Sequence, residues 1–328
     1  LFSLIMLVSM LFIGTANAET TAPSSYVIDG SKLHTIYCSS YLKGCQYINI
    51  QFKKTTDGKI VYCIERSKAP IGSGTTEKYT LQKELSSKVA YVMENGYPNK
   101  SIFGNADKDY YTTGLAIWYV INPNDSTFEY FNLANGTYRG NSSDIVVEMA
   151  KLVNGANSYS YTSPSIKINN SNSNLSLSSD GKYYVSSSMG VKTTGTVGNY
   201  TVSLSNAPEG TIVTDTKGNA KTTFATNESF LVKVPVSNVK KISNEFKVNV
   251  SAKGTINKAY AYTSTRSNVQ NTGALYPENS NVNDSTTVKL NVVTVVEISK
   301  VDVTTGEELA GAHLELKDEK GNLIEAWV

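Results

Sequence analysis

The chain has 328 residues and a formal net charge of +2, with 30 Lys and Arg against 28 Asp and Glu. A chain of this length forms about two to three domains of 100–200 residues each. Because the basic residues are scattered, the sequence does not suggest binding to nucleic acid or to an anionic membrane. The 21 Tyr and only 8 Pro favour β-rich folded domains over a disordered stalk.

The first 18 residues have the pattern of a secretory signal peptide. An uncharged apolar run covers residues 1–13, and the small-residue sequence Ala16-Asn17-Ala18 follows it as a cleavage site. The run is too short to cross a bilayer comfortably. We therefore expect an exported mature protein, secreted or displayed at the cell surface.

The chain contains three cysteines, so an exported protein would leave one of them without an intramolecular partner. Cys38 and Cys45 flank a short segment and are candidates for a local disulfide in an oxidising compartment. The separation of their Cα atoms cannot be read from sequence, so this pairing stays open. Cys63 is then the odd cysteine, and taken alone it is a small buried hydrophobic residue.

The first third of the chain mixes strand and helix patterns. Two apolar runs on either side of Asp57-Gly58 predict a hairpin that carries Cys63 on its second strand. Apolar residues at helical spacing predict three helices, over residues 81–93, 109–121 and 144–153. Ser143 or Asp144 is the expected N-cap of the third helix, and Gly155 is expected to lie past its end. The predicted fold class for residues 25–160 is α+β.

The rest of the chain has no helical period. Short alternating runs between turns predict an all-β sandwich over residues 165–293. Residues 295–328 change pattern again and form an incomplete β domain, shorter than the about 40 residues that usually bury a core alone.

Two motifs of the first domain resemble those of thioester domains in Gram-positive surface adhesins. The first is Val61-Tyr62-Cys63, an aromatic residue followed by Cys on a strand. The second is Thr113-Gly114-Leu115-Ala116-Ile117-Trp118. In that family the Cys condenses with the Gln of a Thr-Gln-x-Ala-Ile-Trp motif, ammonia is lost, and the internal thioester acylates an amine of a host protein. The resemblance implies a thioester-type fold with Cys63 as the thioester candidate and Thr113, Ala116, Ile117 and Trp118 as family motif residues.

The chain departs from this family at Gly114, which occupies the place of the Gln and has no carboxamide. The chain contains four glutamines, all at other positions: Gln46, Gln51, Gln82 and Gln270. Gln82 opens the predicted helix after the Cys63 segment and is the best substitute among them. The expectation from sequence is that the domain keeps the fold and binds without a covalent bond, and captures covalently only if a thioester forms at Cys63.

Later segments carry further resemblances. Residues 165–293 resemble the β-sandwich that follows the thioester domain in clostridial-type surface proteins. Residues 295–328 resemble the start of a collagen-adhesin B-type (SpaA-like) repeat with a prealbumin-like fold, through Lys300, Asp302, Thr305-Gly306 and Gly321-Asn322. This likeness implies an isopeptide bond from Lys300 to an Asn beyond Val328.

The resulting expectation is a cell-surface, cell-wall-attached adhesin-like protein of a Gram-positive type of bacterium. Its first domain would contact a host or extracellular-matrix protein, and peptidoglycan attachment would use a C-terminal region beyond these residues. No cofactor, metal or nucleic acid is expected, and an enzyme is not expected, because His34 and His313 lie in different predicted domains. The alternatives are a non-reactive stalk or pilin-type subunit and, third, a Cys hydrolase.

Overall fold

The structure of the protein is a computed structural model. It describes residues 19–30, 34–37, 42, 47–72, 74–170, 174–241, 245–289, 300–317 and 320–328. The chain divides into two compact units, Leu1–Lys289 and Leu290–Val328, each of which is described by itself. The predicted signal peptide over residues 1–18 and the candidate disulfide between Cys38 and Cys45 lie outside the described residues.

Three α-helices belong to the described part of the first unit: α1 (Ser87–Asn95), α2 (Ala106–Ile121) and α3 (Asp144–Ser158). The Asn105 side chain caps α2 by accepting a hydrogen bond from the Lys108 backbone N–H, and Ser143 caps α3 in the same way, accepting from Val146. The expected N-cap at Ser143 is therefore present. Helix α3 continues past its predicted end, so the expected position of Gly155 beyond the helix was wrong. Gly155 lies inside α3, where the Tyr91 side chain of α1 packs closely against it.

Most of the first unit is β structure. Its strands are β1 (Glu19–Thr20), β2 (Ser25–Gly30), β3 (His34–Tyr37), β4 (Tyr47–Ile50), β5 (Lys53–Thr55), β6 (Ile60–Cys63), β7 (Thr76–Glu84), β8 (Phe131–Asn132), β9 (Thr137–Tyr138), β10 (Asn141–Ser142), β11 (Ser165–Asn169), β12 (Leu175–Leu177), β13 (Tyr183–Ser186), β14 (Gly190–Thr194), β15 (Thr196–Ser205), β16 (Ile212–Asp215), β17 (Thr223–Phe224), β18 (Phe230–Pro235), β19 (Glu245–Ser264) and β20 (Thr272–Lys289).

The prediction of a helix over 81–93 was wrong at its start, because residues 81–84 are the end of strand β7. Strand β7 pairs with β2 on one side and with β19 on the other. Hydrogen bonds to both neighbours outweigh the helical spacing of Leu81 and Leu85, since propensity and pattern are weaker than tertiary pairing. Helix α1 therefore begins only at Ser87.

Nine strands of the described chain form one sheet in the order β1-β20-β6-β5-β2-β7-β19-β15-β17. Strands β19 and β20 also pair with each other along their length, from Glu245 opposite Lys289 to Tyr262 opposite Thr272. This extra pairing closes six of the strands into a ring: β20, β6, β5, β2, β7 and β19. We call this ring the closed sheet. All of its pairs are antiparallel.

The long strands β19 and β20 belong to the segment predicted as a separate sandwich, residues 165–293. They nevertheless pair with strands of the predicted first domain, residues 25–160. The first half of β19 pairs with β15 and its other end pairs with β7, while the start of β20 pairs with β6 of the N-terminal segment. The chain segment before β19 forms a four-stranded sheet in the order β12-β13-β18-β16 and the two-stranded pair β11 with β14. The described part of this unit is mostly β with three α-helices. The α+β label for residues 25–160 and the all-β sandwich over 165–293 stay predictions.

Two hydrophobic clusters flank the wall of the closed sheet. One fills its interior with alternating residues of the strands, including Tyr26, Val61, Tyr79 and Tyr262. The other packs α1, α2 and α3 together and against the outer side, where Tyr62 of β6 points. Strand β6 therefore separates two cores. In the described part of the chain, the helices are all too short or too polar to span a membrane.

The second unit contains one described hairpin. Strand β21 (Leu314–Lys317) pairs antiparallel with β22 (Leu323–Trp327), and a turn at Asp302 precedes them. Lys300, the isopeptide candidate, is exposed, and its carbonyl oxygen accepts a hydrogen bond from Leu309 at 2.9 Å. The prealbumin-like fold and the isopeptide bond stay predictions.

Candidate functional site

Cys63 lies at the end of β6, where the closed sheet meets helix α2. It is a free, buried cysteine, 6% exposed, and its direct partner on the neighbouring strand β20 is Thr272. The Trp118 indole N–H of α2 donates a hydrogen bond to the Cys63 carbonyl oxygen at 2.7 Å. One turn of α2 is thus fixed against the backbone of the cysteine.

The other residues of the α2 motif support the same contact. Ala116 and Ile117 are fully buried in the helical core. The Thr113 hydroxyl donates to the Asp109 carbonyl oxygen at 2.8 Å and accepts from the Tyr97 backbone N–H at 3.0 Å. The Tyr97 carbonyl oxygen in turn accepts a hydrogen bond from the Tyr62 hydroxyl at 2.5 Å. The motif therefore anchors the residue before Cys63.

Gly114 faces Tyr62 across the contact between α2 and β6. A Cβ placed on Gly114 would lie 3.7 Å from the nearest Tyr62 ring carbon, which is an ordinary van der Waals distance. A side chain at position 114 would therefore extend toward the space beside Cys63. In this chain that space is left open.

The open space is a cavity of about 300 Å³ between the end of the closed sheet and α2. Its wall contains one thiol, one amine and two carboxamides among aromatic groups. The lining residues are Gln51, Lys53, Tyr62, Cys63, Pro70, Tyr110, Tyr111, Gly114, Trp118 and Gln270. Among the residues that the structure describes, no group of His, Cys, Asp and Glu could hold a metal ion.

Gln270 is the carboxamide best placed for Cys63. It precedes β20 by two residues, and the next residue, Asn271, accepts a hydrogen bond through its carbonyl oxygen from the Ile64 backbone N–H at 3.0 Å. Residues diagonal across an antiparallel pair lie roughly 7–8 Å apart, within reach of long side chains. Gln270 is 8% exposed, and its side chain makes no hydrogen bond to any residue that the structure describes.

The other glutamines are less suitable. Gln51 also lines the cavity, but its amide nitrogen donates to the Ile71 carbonyl oxygen at 3.1 Å and so is engaged in holding the backbone. Gln82, the substitute favoured from sequence, is exposed on β7 and does not line the cavity, so that choice was wrong. Gln46 lies outside the described residues.

The electrostatics of the cavity follow from its burial. Burial raises the pKa of the Cys63 thiol, while the charge of Lys53 lowers that pKa in part. Burial also raises the pKa of Tyr110 well above its usual value and that of Tyr111 to about 12, so both phenols are neutral at physiological pH. The Tyr110 hydroxyl donates to the Val61 carbonyl oxygen at 3.0 Å.

Comparison with known families agrees with this geometry. The sequence model of the thioester domain family matches residues 60–158, which contain Cys63, all of α2 and all of α3. Residues 60–158 belong to the thioester domain family. The resemblance inferred from Cys63 and the α2 motif is thereby confirmed for this region. No curated protein matches the chain in sequence.

Two solved structures share the fold. The Bacillus anthracis TIE protein is 23% identical, with a TM-score of 0.60 over 81% of this chain and 49% of that one. The thioester domain of the Enterococcus faecium TIE86 protein is 20% identical, with a TM-score of 0.53 over 84% of this chain and 99% of that one. This chain thus spans about half of the Bacillus anthracis chain. The fold similarity extends well beyond residues 60–158.

Sequence reasoning located the cysteine and the helix beside it but missed Gln270 and Lys53. Both lie close to Cys63 only because β20 and β5 flank β6 in the closed sheet. The rarity of glutamine was the one sequence signal for Gln270, and Lys53 had none, since lysine is common in this chain.

Proposed function

We propose that this protein is a bacterial surface adhesin whose thioester domain forms an internal bond between Cys63 and Gln270 and uses it to capture an amine of another protein. The observation that carries the proposal is the shared cavity: the thiol and the carboxamide both line it, and Gln270 lies two residues before Thr272, the strand partner of Cys63. This replaces the pairing with position 114 that the family motif suggested.

The reaction balances with these two side chains alone. The Cys63 sulfur attacks the Gln270 side-chain carbonyl carbon, the C–N bond breaks, and the thiol proton leaves with the amide nitrogen as ammonia. An incoming amine then attacks the same carbon, the C–S bond breaks, and a proton from the amine returns to the sulfur. The products are a stable amide and the free Cys63 thiol.

Burial protects such a bond until a partner arrives. Cys63 and Gln270 are almost inaccessible, at 6% and 8% exposed, so bulk water has little access to the carbonyl carbon. Trp118 and its neighbours on α2 close one side of the cavity. A lysine side chain from a partner is long and slender enough to enter a space of this size, which suits a protein amine as the acceptor.

The remaining parts of the proposal come from the family and from the leader sequence. We place the protein at the cell surface of a Gram-positive type of bacterium, secreted through its signal peptide and attached to the cell wall by a region beyond these residues. Its partner would be a host or extracellular-matrix protein. The thioester is consumed in one event, so the protein is not an enzyme. No specific observation favours the stalk or pilin alternative.

The test is the intact mass of the purified protein with and without methylamine. We expect the wild type to lack one ammonia and to gain one methylamine on treatment, with the label mapped to Gln270. Gln270→Ala and Cys63→Ala should retain the full mass and take up no methylamine, whereas Gln82→Ala, an exposed glutamine change, should behave as wild type.

Two results would contradict the proposal. The first is a wild-type protein that retains its ammonia, which would leave non-covalent binding as the function of the domain. The second is loss of the reactive bond in Gln51→Ala with its retention in Gln270→Ala, which would make Gln51 the acyl partner instead.

A further inference from the structure

Lys53 is a buried amine in the wall of the Cys63 cavity. It lies on β5, directly opposite Val61 of β6, so its side chain lies beside the strand position of Cys63. Lys53 is 6% exposed, while the next residue, Lys54, is exposed on the same strand. The alternation of β5 therefore turns one lysine inward and the other outward.

Among the residues that the structure describes, Lys53 has no counter-charge around it. None of the described residues that line the cavity is Asp or Glu, and within the described part of the chain no carboxylate lies at ion-pair distance from its amine. Its amine is 3.5 Å from the Gln51 carbonyl oxygen. It shares the cavity wall with Cys63, and its charge lowers the pKa of that thiol. Buried lysines are rare unless paired, because the ammonium loses its hydration.

This arrangement is costly for stability alone, so the charge is better explained by chemistry that needs it. The cavity groups around the amine that can ionise are Cys63, Tyr62, Tyr110 and Tyr111. The three phenols all have a raised pKa and stay neutral. The sulfur of Cys63 is the one among them that must carry negative charge in thioester chemistry.

We propose that the Lys53 ammonium is a catalytic residue that stabilises negative charge on the Cys63 sulfur, both when the thioester forms and when an amine breaks it. The inference rests on the proposed function, and it adds a residue with a defined role. In formation the ammonium stabilises the attacking thiolate. In capture it stabilises the same sulfur as the leaving group, before the proton from the incoming amine reaches it.

The experiment compares three variants of the full chain. Lys53→Met removes the charge and retains an unbranched apolar side chain, Lys53→Arg retains the charge, and Lys54→Met is the matched control on the same strand. Intact mass gives the fraction that has lost ammonia, and the rate of methylamine uptake by that fraction gives the capture step. Circular dichroism melting curves check that each variant is folded.

We expect Lys53→Met to slow methylamine uptake about 100-fold, to reduce the fraction that has lost ammonia, or both, by the usual size of one lost charge-stabilising group. Lys53→Arg should recover to within about tenfold of wild type, because a guanidinium supplies the same charge. Lys54→Met should match wild type. If Lys53→Met does not fold, Lys53→Gln replaces it in the same comparison.

Three outcomes would overturn the inference while leaving the proposed function intact. One is a folded Lys53→Met that matches wild type in both measurements. Another is a Lys53→Arg as impaired as Lys53→Met, which would mean that shape and not charge matters. The third is a Lys53–Gln270 amide found by peptide mapping, which would make Lys53 a competing nucleophile. Failure of the proposed function is seen separately, as a wild-type protein that retains its ammonia.

Discussion

Two buried charged side chains of the closed sheet, Lys53 and Glu77, differ in how many hydrogen bonds compensate their charge. Glu77 on β7 accepts hydrogen bonds from the Ser264 hydroxyl at 2.6 Å, the Thr265 hydroxyl at 2.9 Å and the Arg266 Nε at 2.5 Å. Lys53 on β5 lines the same cavity as Cys63, and among the described residues its amine has one hydrogen-bond acceptor, the Gln51 carbonyl oxygen at 3.5 Å. Both side chains are nearly inaccessible to water.

This difference distinguishes a buried charge that stabilises the fold from one that, on the proposal above, takes part in a reaction. A buried charge with complete hydrogen bonding is compensated, and removing it leaves its partners without an acceptor. A buried charge with little compensation lowers stability and persists where a reaction uses it. Of the three predictions below, given from the largest expected effect to the smallest, the first two test this contrast and the third tests the packing of α2 beside the cavity.

The largest effect is expected at Glu77. Burial raises the pKa of this carboxyl, but hydrogen bonds from Ser264, Thr265 and Arg266 outweigh burial and lower it overall. A lowered pKa means that the charged form stabilises the fold above the unfolded-state pKa, and that this stability is lost as the pH falls through the folded-state pKa. Glu77→Gln should reduce the free energy of unfolding by about 2 kcal/mol at neutral pH, and by less in acid.

Urea denaturation at neutral and at acidic pH measures both parts of this prediction. Glu84→Gln, a change at the more exposed end of the same strand, is the control. The ammonia loss of Glu77→Gln should equal that of wild type, since Glu77 does not line the Cys63 cavity. A variant as stable as wild type at neutral pH would show that the Glu77 cluster is not the compensated charge described above.

The second effect has the opposite sign. Lys53→Met should raise the free energy of unfolding by about 1 kcal/mol, because it removes a desolvated ammonium that lacks a carboxylate partner among the described residues. The same denaturation experiment measures it, with Lys54→Met expected to change stability by less than about 0.5 kcal/mol. A loss of stability at Lys53 similar to that at Glu77 would abolish the contrast.

The smallest effect concerns Gly114, a residue of α2 that lines the Cys63 cavity. Gly114→Ala should raise the free energy of unfolding by about 0.5–1 kcal/mol, because alanine is the better helix former and its Cβ has room beside Tyr62. Gly96→Ala is the matched comparison and should lower it, since its Cβ would lie 2.5 Å from Thr113 Cγ2. Thermal melting of both variants checks the pair. Equal shifts would mean that packing at Gly114 is tighter than described.

Local patterns predicted the parts of the site that are close in sequence. The Asp57-Gly58 turn places β6 after β5, with Gly58 at a positive φ of 91°. Apolar residues predicted α2 over 109–121, which carries the motif residues, and the structure adds a start at Ala106 with Asn105 as its cap. The start of α1 was not predictable in the same way, because β7 gains hydrogen bonds from two strands that are distant along the chain.

The sequence by itself determined that Cys63 stands on a strand, that α2 is a buried helix carrying Trp118, and that the region resembles thioester domains. The strand and the helix depend on turns and apolar spacing over a few residues. The family resemblance rests on the motif at Cys63 and the motif that ends in Trp118. Only the tertiary structure decided which glutamine and which lysine meet the cysteine. Gln270 and Lys53 reach the cavity because β20 and β5 pair on either side of β6, and such long-range pairing follows from closure of the whole sheet.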